Sequence, residues 1–169
     1  MTGHTFSKHI EDRAVRAMKA TVEIKKLNLL SIATALKLFT IKVAPIATYG
    51  LQLIWNHLTY TNLKGLEGVK TAYLKRMLCV SKYTPDRITY ILADTTFFIE
   101  DLMVALNLVP TPQSTRFLED RRQKSINVHQ GLLKTPAVIS NEWKEANYLL
   151  HHLYNRVAVH GLHHPICET

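Results

Sequence analysis

The basic side chains are the residues whose number and placement point most clearly to chemistry. The chain of 169 residues has 21 Lys and Arg against 13 Asp and Glu, a formal charge of +8 and a pI of about 9.6. Residues 1–83 carry 13 basic residues against four acids, a balance of +9, and residues 84–169 carry eight against nine, a balance of −1. This asymmetry predicts that one part of the protein meets a polyanion and the other is scaffold.

The candidate nucleic-acid contacts are basic residues spread along predicted helices, together with one tyrosine. Phosphate backbones are bound by Lys and Arg along a face, and such contacts position a strand without reading its sequence. The candidates are Arg16, Lys19, Lys37, Lys42, Tyr60, Lys64, Lys70, Lys75, Arg76 and Lys82. Lys75, Arg76 and Lys82 are expected to face solvent. The alternative interpretation of the whole set is a charged surface that aids solubility.

Four aromatic residues lie among these basic positions. Tyr49, Trp55, Tyr60 and Tyr73 could stack on bases or sugars, as aromatic residues do in proteins that bind single strands. Trp55 and Tyr73 fall on apolar stripes and are predicted to be core. Tyr60, in a predicted loop beside Lys64, is the candidate for stacking.

Cysteine and histidine spacing gives little support for a metal site. His160 and His163, and then His164 and Cys167, have the spacing of metal ligands, but the two pairs abut and leave no loop between them. The tail is therefore interpreted as a chance cluster, and neither a metal nor a cofactor is expected. Cys79 lies in an apolar run and is predicted to be buried and unreactive.

Catalytic motifs are missing from the sequence. It contains no glycine-rich phosphate loop, serine elbow or His-Glu-x-x-His pattern. Its adjacent acids are Glu11-Asp12, Glu100-Asp101 and Glu119-Asp120. Helical neighbours point about 100° apart, which makes these pairs poor metal clamps. The chain is not expected to be an enzyme.

Apolar residues recur at steps of three and four along almost the whole chain, which predicts an all-α fold, a single-domain bundle of about six to seven helices. The first helix is predicted from Ser7, the second from Ser31 and the third from Thr61. This third helix has an inner stripe of Leu63, Leu66, Val69, Tyr73, Leu74, Met77 and Leu78. Pro45 is expected to kink or restart the second helix, with Gly50 following.

The second half of the chain also has apolar residues at helical spacing. Thr84, Pro85 and Asp86 predict an N-cap, a proline at the first helical position and a favourable acid. A short helix with Ile88, Ile91 and Leu92 is expected to follow. Further helices are expected over 98–108, from Ser114 or Thr115, and from Ser140 or Asn141, with a turn at Gly131 to Pro136.

Composition places few limits on class. Hydrophobic residues make up 47% of the chain and two cysteines cannot form a disulfide framework. No run of 18 apolar residues and no signal-peptide core is present, so a soluble, intracellular protein of nucleus or cytoplasm, with no membrane partner, is expected.

Several segments, in a fixed order, resemble the region after the catalytic palm in reverse transcriptases of non-LTR retrotransposons. They are Arg13-Ala-Val-Arg-Ala-Met-Lys-Ala, Leu36-Lys-Leu-Phe, Val43-Ala-Pro-Ile-Ala-Thr-Tyr-Gly, Ile54-Trp55, and Leu63-Lys-Gly-Leu-Glu continuing to Leu74-Lys-Arg. The resemblance extends over residues 10–135 and implies a thumb-like helical region over 1–135. The residue pattern predicts that 136–169 add a C-terminal helix and a His-rich tail.

In that family the thumb grips the template–primer duplex, so the resemblance implies contact with RNA or DNA. The metal-binding aspartate pair of the family's palm has no counterpart, because this chain contains no Asp-Asp pair. The prediction is a non-catalytic, nucleic-acid-binding thumb module, either domesticated or a fragment of a longer polyprotein.

The competing hypothesis is a protein-interaction or dimerisation module that reuses the thumb core. A thumb without its palm exposes apolar surface, which rarely stays bare. A homodimer or another protein partner would cover it, and a two-fold dimer is the commonest closed arrangement.

Overall fold

The computed structural model describes residues 3–134, whose regular secondary structure is entirely helical. This confirms the predicted all-α fold. The α-helices are α1 (Gly3–Glu23), α2 (Ile32–Leu38), α3 (Ala44–Thr48), α4 (Leu51–Ile54), α5 (Tyr60–Met77), α6 (Asp86–Ala93), α7 (Phe98–Ala105) and α8 (Pro112–Lys134). The predicted helix from Ser140 or Asn141 and the His-rich tail lie outside the described residues.

Helix α1 packs its predicted face inward, with Ile10, Ala17 and Thr21 buried. Its start differs from the prediction, because Ser7 lies inside the helix. The Ser7 hydroxyl donates to Asn62 Oδ1 at 3.3 Å and accepts from Asn62 Nδ2 at 3.2 Å. Ser7 therefore joins α1 to the start of α5 and caps nothing.

Helix α2, a π-helical segment (Phe39–Val43) and α3 form one helical run from Ile32 to Thr48. Ser31 caps it as predicted, accepting from the backbone N–H of Thr34. The π turn lies directly before Pro45, which lacks the N–H of a regular α turn. The run ends before Gly50, which adopts φ 75°, a conformation that favours glycine.

Helix α5 is the centre of the domain and packs against α1, α6, α7 and α8. It begins at Tyr60, one residue before the predicted start, because Thr59 and Asn62 form a reciprocal capping box. All seven residues of its predicted inner stripe are buried. Tyr73 donates to the Ala35 carbonyl at 2.6 Å and Trp55 Nε1 to the Val109 carbonyl at 2.7 Å, so both are core, as predicted.

The second half differs from its prediction in its boundaries. Thr84 is buried, and Pro85 precedes the first helical residue of α6, Asp86, although it was expected at the first helical position. Helix α8 begins at Pro112, since Thr111 and Ser114 exchange hydrogen bonds, and continues through Lys134. The turn predicted from Gly131 is therefore wrong up to Lys134.

Cys79 is exposed, which corrects the prediction of a buried thiol. It follows the end of α5 with φ 57°, in the left-handed region, while its N–H bonds the Arg76 carbonyl at 3.2 Å. This conformation turns its side chain out of the apolar run that continues through Leu78.

Within residues 3–134 no single helix is long and apolar enough to cross a membrane. The segments Ile32–Thr48 and Leu51–His57 meet the length and composition criteria together, but a bend of 48° separates them.

Candidate nucleic-acid interface

A groove lined with positive charge lies between α5, α6 and α8. It consists of two adjoining cavities of about 480 and 510 Å³ that share Lys64, Lys75, Lys82, Asp86 and Arg121. Among the described residues, seven cations and a single acid, Asp86, line the two cavities together. We call this surface the basic groove, and its cations are Lys64, Lys75, Arg76, Lys82, Arg87, Arg121 and Lys124.

The periodicity of α5 places one wall of the groove. Lys64 and Lys75 are eleven residues apart, which at about 3.6 residues per turn returns them to within about 20° of each other. Gly68 and Thr71 fall on the same face and also line the groove. A straight helix of this length therefore presents its two lysines to the same side.

Asp86, in the first turn of α6, binds two of the cations at the floor of the groove. Its carboxylate lies 2.8 Å from Lys75 Nζ and 3.3 Å from Arg121, and Lys75 Nζ also donates to the Lys82 carbonyl at 3.0 Å. These bonds hold α5, α6 and α8 together and partly compensate the charges of Lys75 and Arg121. Both cations are mostly buried there.

The rim of the groove holds cations of a different kind. Lys64, Lys82 and Lys124 are exposed, and the ion pairs found within the described part of the chain involve none of them. Exposed ammonium groups around a concave surface are available to bind anions. These three lysines are the strongest candidates for phosphate contacts.

Tyr60 lines the groove from the first turn of α5, where a loop had been predicted. Its hydroxyl donates to Asp120 at 2.9 Å, and burial together with this bond raises the pKa of the phenol. The Arg116 guanidinium lies 5.6 Å from its ring centroid and Phe117 packs edge-on. Tyr60 is held by protein contacts on several sides, which leaves little ring surface for stacking.

Lys70 does not belong to the groove. It is 3% exposed, and its ammonium donates to Asp101 and to the Thr96 carbonyl, both at 2.7 Å. The helical period turns it toward α7, where it links that helix to α5. The expected phosphate contact of Lys70 is therefore wrong, because its charge is enclosed and already paired.

Arg76 and Lys75 also differ from the solvent-facing positions expected of them. The Arg76 guanidinium donates to the Thr21 carbonyl and, at 2.9 Å, to the Ile24 carbonyl, so it caps the end of α1. Lys75 is bound to Asp86 as described above. Only Lys82 of that trio is exposed as predicted, with its Nζ 5.0 Å from the ring centroid of Tyr83.

The remaining predicted contacts lie elsewhere on the molecule. Arg16, Lys19, Lys37 and Lys42 are exposed, but none lines the basic groove. Arg16 pairs with Asp12 at 2.9 Å within α1. These four residues form no single site with the groove lysines.

Three groove cations were missed by sequence reasoning, namely Arg87, Arg121 and Lys124. They come from the near-neutral half, which had been expected to be scaffold. A signal was present, because Arg121 and Lys124 follow buried Phe117 at steps of four and three and so share its side of α8. The net charge of each half of the chain did not reveal them, because residues 84–169 carry eight basic residues against nine acids.

No protein-family model matches the sequence, and no curated protein or solved structure is significantly similar to it. Among the described residues, no group of three or more His, Cys, Asp or Glu side chains is placed to hold a metal ion.

Proposed function

We propose that this protein is a non-catalytic helical module that binds nucleic acid by its phosphate backbone in the basic groove. The observation that carries the proposal is that, within the described part of the chain, seven cations and one acid line a concave surface. The segment that resembles the reverse-transcriptase thumb supports the same proposal, because α5 belongs to that segment and forms a wall of the groove.

Some cations of the groove are paired with Asp86, and others are exposed to solvent. Lys75 and Arg121, held by Asp86, set the shape of the floor, while Lys64, Lys82 and Lys124 extend into solvent. Each phosphate contact made by such a lysine releases counterions. Three contacts should give a slope of log affinity against log salt of about −2 to −3.

The non-catalytic part of the proposal rests on how the paired carboxylates are used. Asp101 binds Lys70, and Glu100 pairs with Arg122. Asp12 of the pair in α1 binds Arg16. We expect no primer extension with Mg²⁺ or Mn²⁺, and template-dependent extension that survives repurification would contradict this.

The proposed binding is tested by a matched pair of triple variants. Lys64→Glu, Lys82→Glu and Lys124→Glu reverse the three exposed groove charges, whereas Lys19→Glu, Lys37→Glu and Lys42→Glu change the net charge equally outside the groove. Fluorescence anisotropy with labelled oligonucleotides at two salt concentrations measures the affinities. We expect the groove triple alone to lose most of the affinity and to flatten the salt slope by about 2–3.

Two results would overturn the proposal. One is an equal loss of affinity in both triple variants, which would assign the binding to net charge. The other is an unaltered protein that binds no nucleic acid at roughly 100 mM salt, where non-specific binders still register.

A second candidate function, self-association, is favoured by the outer face of α1. Val15 and Val22 are 52% and 68% exposed and, with Ala14 and Met18, line a shallow depression of about 590 Å³. A second copy of the chain would remove this apolar surface from water. Sedimentation should show a dimer that Val15→Lys with Val22→Lys dissociates and that the groove triple leaves intact; a monomer at tens of micromolar would exclude this candidate.

A further inference from the structure

We propose that the ligand of the basic groove is single-stranded nucleic acid and that Tyr83 stacks on its bases. This inference rests on the proposed function and adds to it the form of the ligand and a contact residue. Tyr83 lies in the connection between α5 and α6, directly after Lys82, and lines the groove.

Tyr83 is 81% exposed. The other exposed tyrosine of the described region is Tyr49, at 66%. Its ring packs on no other aromatic ring of that region, and Lys82 Nζ lies 5.0 Å from its centroid. A large aromatic side chain in this position contributes little to the core. Beside phosphate-binding lysines it provides a free face on which a base can stack.

Hydrogen bonds fix the backbone of the turn that carries Tyr83. The N–H of Tyr83 bonds Ser81 Oγ at 3.2 Å, the N–H of Thr84 bonds the Ser81 carbonyl at 3.0 Å, and Thr84 is buried. Lys75 fixes the preceding carbonyl of Lys82 at 3.0 Å. Because the turn is fixed before binding, little ordering would be required when a base stacks on the ring.

The size and lining of the adjoining cavity favour a single strand. Its volume of about 480 Å³ is in the range of pockets that hold small molecules, so one unstacked nucleotide fits in it. Pro85, Phe97 and Phe117 line it together with the cations. A duplex hides the faces of its bases within the stack, whereas a single strand offers them to an aromatic ring.

The test compares Tyr83→Leu with Tyr83→Phe and with Tyr49→Leu, a control at the other highly exposed tyrosine, which lies outside the groove. The full chain is titrated against single-stranded RNA and DNA of mixed sequence, the duplex of the same sequence, and inorganic polyphosphate, which has no bases. Tyr83→Leu should weaken single-strand binding by about 5- to 150-fold. It should leave polyphosphate binding unchanged, while Tyr83→Phe and Tyr49→Leu stay close to the unaltered protein.

The outcomes separate this inference from the function on which it rests. Duplex binding as tight as single-strand binding, or a Tyr83→Leu variant with unchanged single-strand affinity, would overturn the inference while the groove triple still loses its affinity. A groove triple that binds every probe like the unaltered protein would overturn the proposed function itself. Unchanged far-ultraviolet spectra of the Tyr83 variants exclude misfolding as the cause of a loss.

Discussion

The two faces of α5 use the same kinds of charged residue for opposite purposes. Toward the groove, Lys64 is exposed and Lys75 shares one carboxylate with Arg121. Toward α7, Lys70 is enclosed with Asp101, and Glu67 is 0% exposed. The comparison shows that the type of a residue on this helix does not decide its role, because the element packed against it does.

Glu67 illustrates what the enclosed face requires. Its carboxylate accepts the N–H groups of Phe98 and Ile99 at 2.9 and 3.0 Å, at the start of α7, and also accepts the hydroxyl of Tyr90. Burial raises the pKa of Glu67, although these hydrogen bonds oppose the rise. A buried carboxyl with every oxygen satisfied ties α5 to α6 and α7 and leaves no charge for a ligand.

The largest expected effect comes from leaving Lys70 without its carboxylate partner. Asp101→Asn removes the negative charge beside the buried Lys70 ammonium, which keeps the Thr96 carbonyl as an acceptor, and it should lower the free energy of unfolding by about 2–3 kcal/mol. Lys64→Met on the groove face should change it by less than about 0.5 kcal/mol. Urea denaturation measures both variants, and equal effects would remove the distinction between the two faces.

A smaller effect, with a pH signature, is expected at Glu67. Glu67→Gln places an amide N–H₂ against one of the backbone donors of α7 and should cost about 1–3 kcal/mol. Because the pKa of Glu67 is raised in the fold, its contribution is complete below the ordinary value of 4.5 and is lost as pH rises through the raised value.

The measurement is the difference in unfolding free energy between the original protein and Glu67→Gln as a function of pH. This difference should shrink as pH rises above 4.5. A difference that instead grows as pH rises toward 4.5 and is level above it would mean that the hydrogen bonds outweigh burial and lower the pKa.

The smallest effect is a gain of stability at two glycines of α5. A Cβ added at Gly65 or Gly68 meets no atom within 4 Å, and glycine inside a helix costs about 0.5–1 kcal/mol relative to alanine. Gly65→Ala and Gly68→Ala should therefore raise the thermal midpoint alike. Only Gly68 lines the groove, so only Gly68→Ala should weaken nucleic-acid binding, and a loss of stability in either variant would contradict this account.

Much of the fold follows from local patterns. The buried stripe of α5, the cap at Ser31 and the interruption of the regular α-helix next to Pro45 were predicted from the sequence, and the structure has all three. The predicted starts of α5 and α8 differ from the observed ones, because several residues could act as the N-cap. At Thr59 and Thr111 the residue three positions along the chain decides which one caps the helix.

The candidate site was predicted only in part. Tyr60, Lys64, Lys75, Arg76 and Lys82 do line the groove, but two of the four cations are committed to Asp86 or to the end of α1. The groove becomes a site only because α8 adds Arg121 and Lys124 from a distant part of the chain. Charge counted along the sequence does not show which cations a fold will gather.

The sequence by itself determined the helices, since apolar residues at steps of three and four fix which side of each helix is buried. The tertiary structure alone decided which basic residues remain available. Lys70 is enclosed by partners 26 and 31 residues away, and Arg76 by carbonyls 52 and 55 residues away. Helix periodicity is a local property, whereas the solvation and pairing of a charge depend on whatever the packed chain brings beside it.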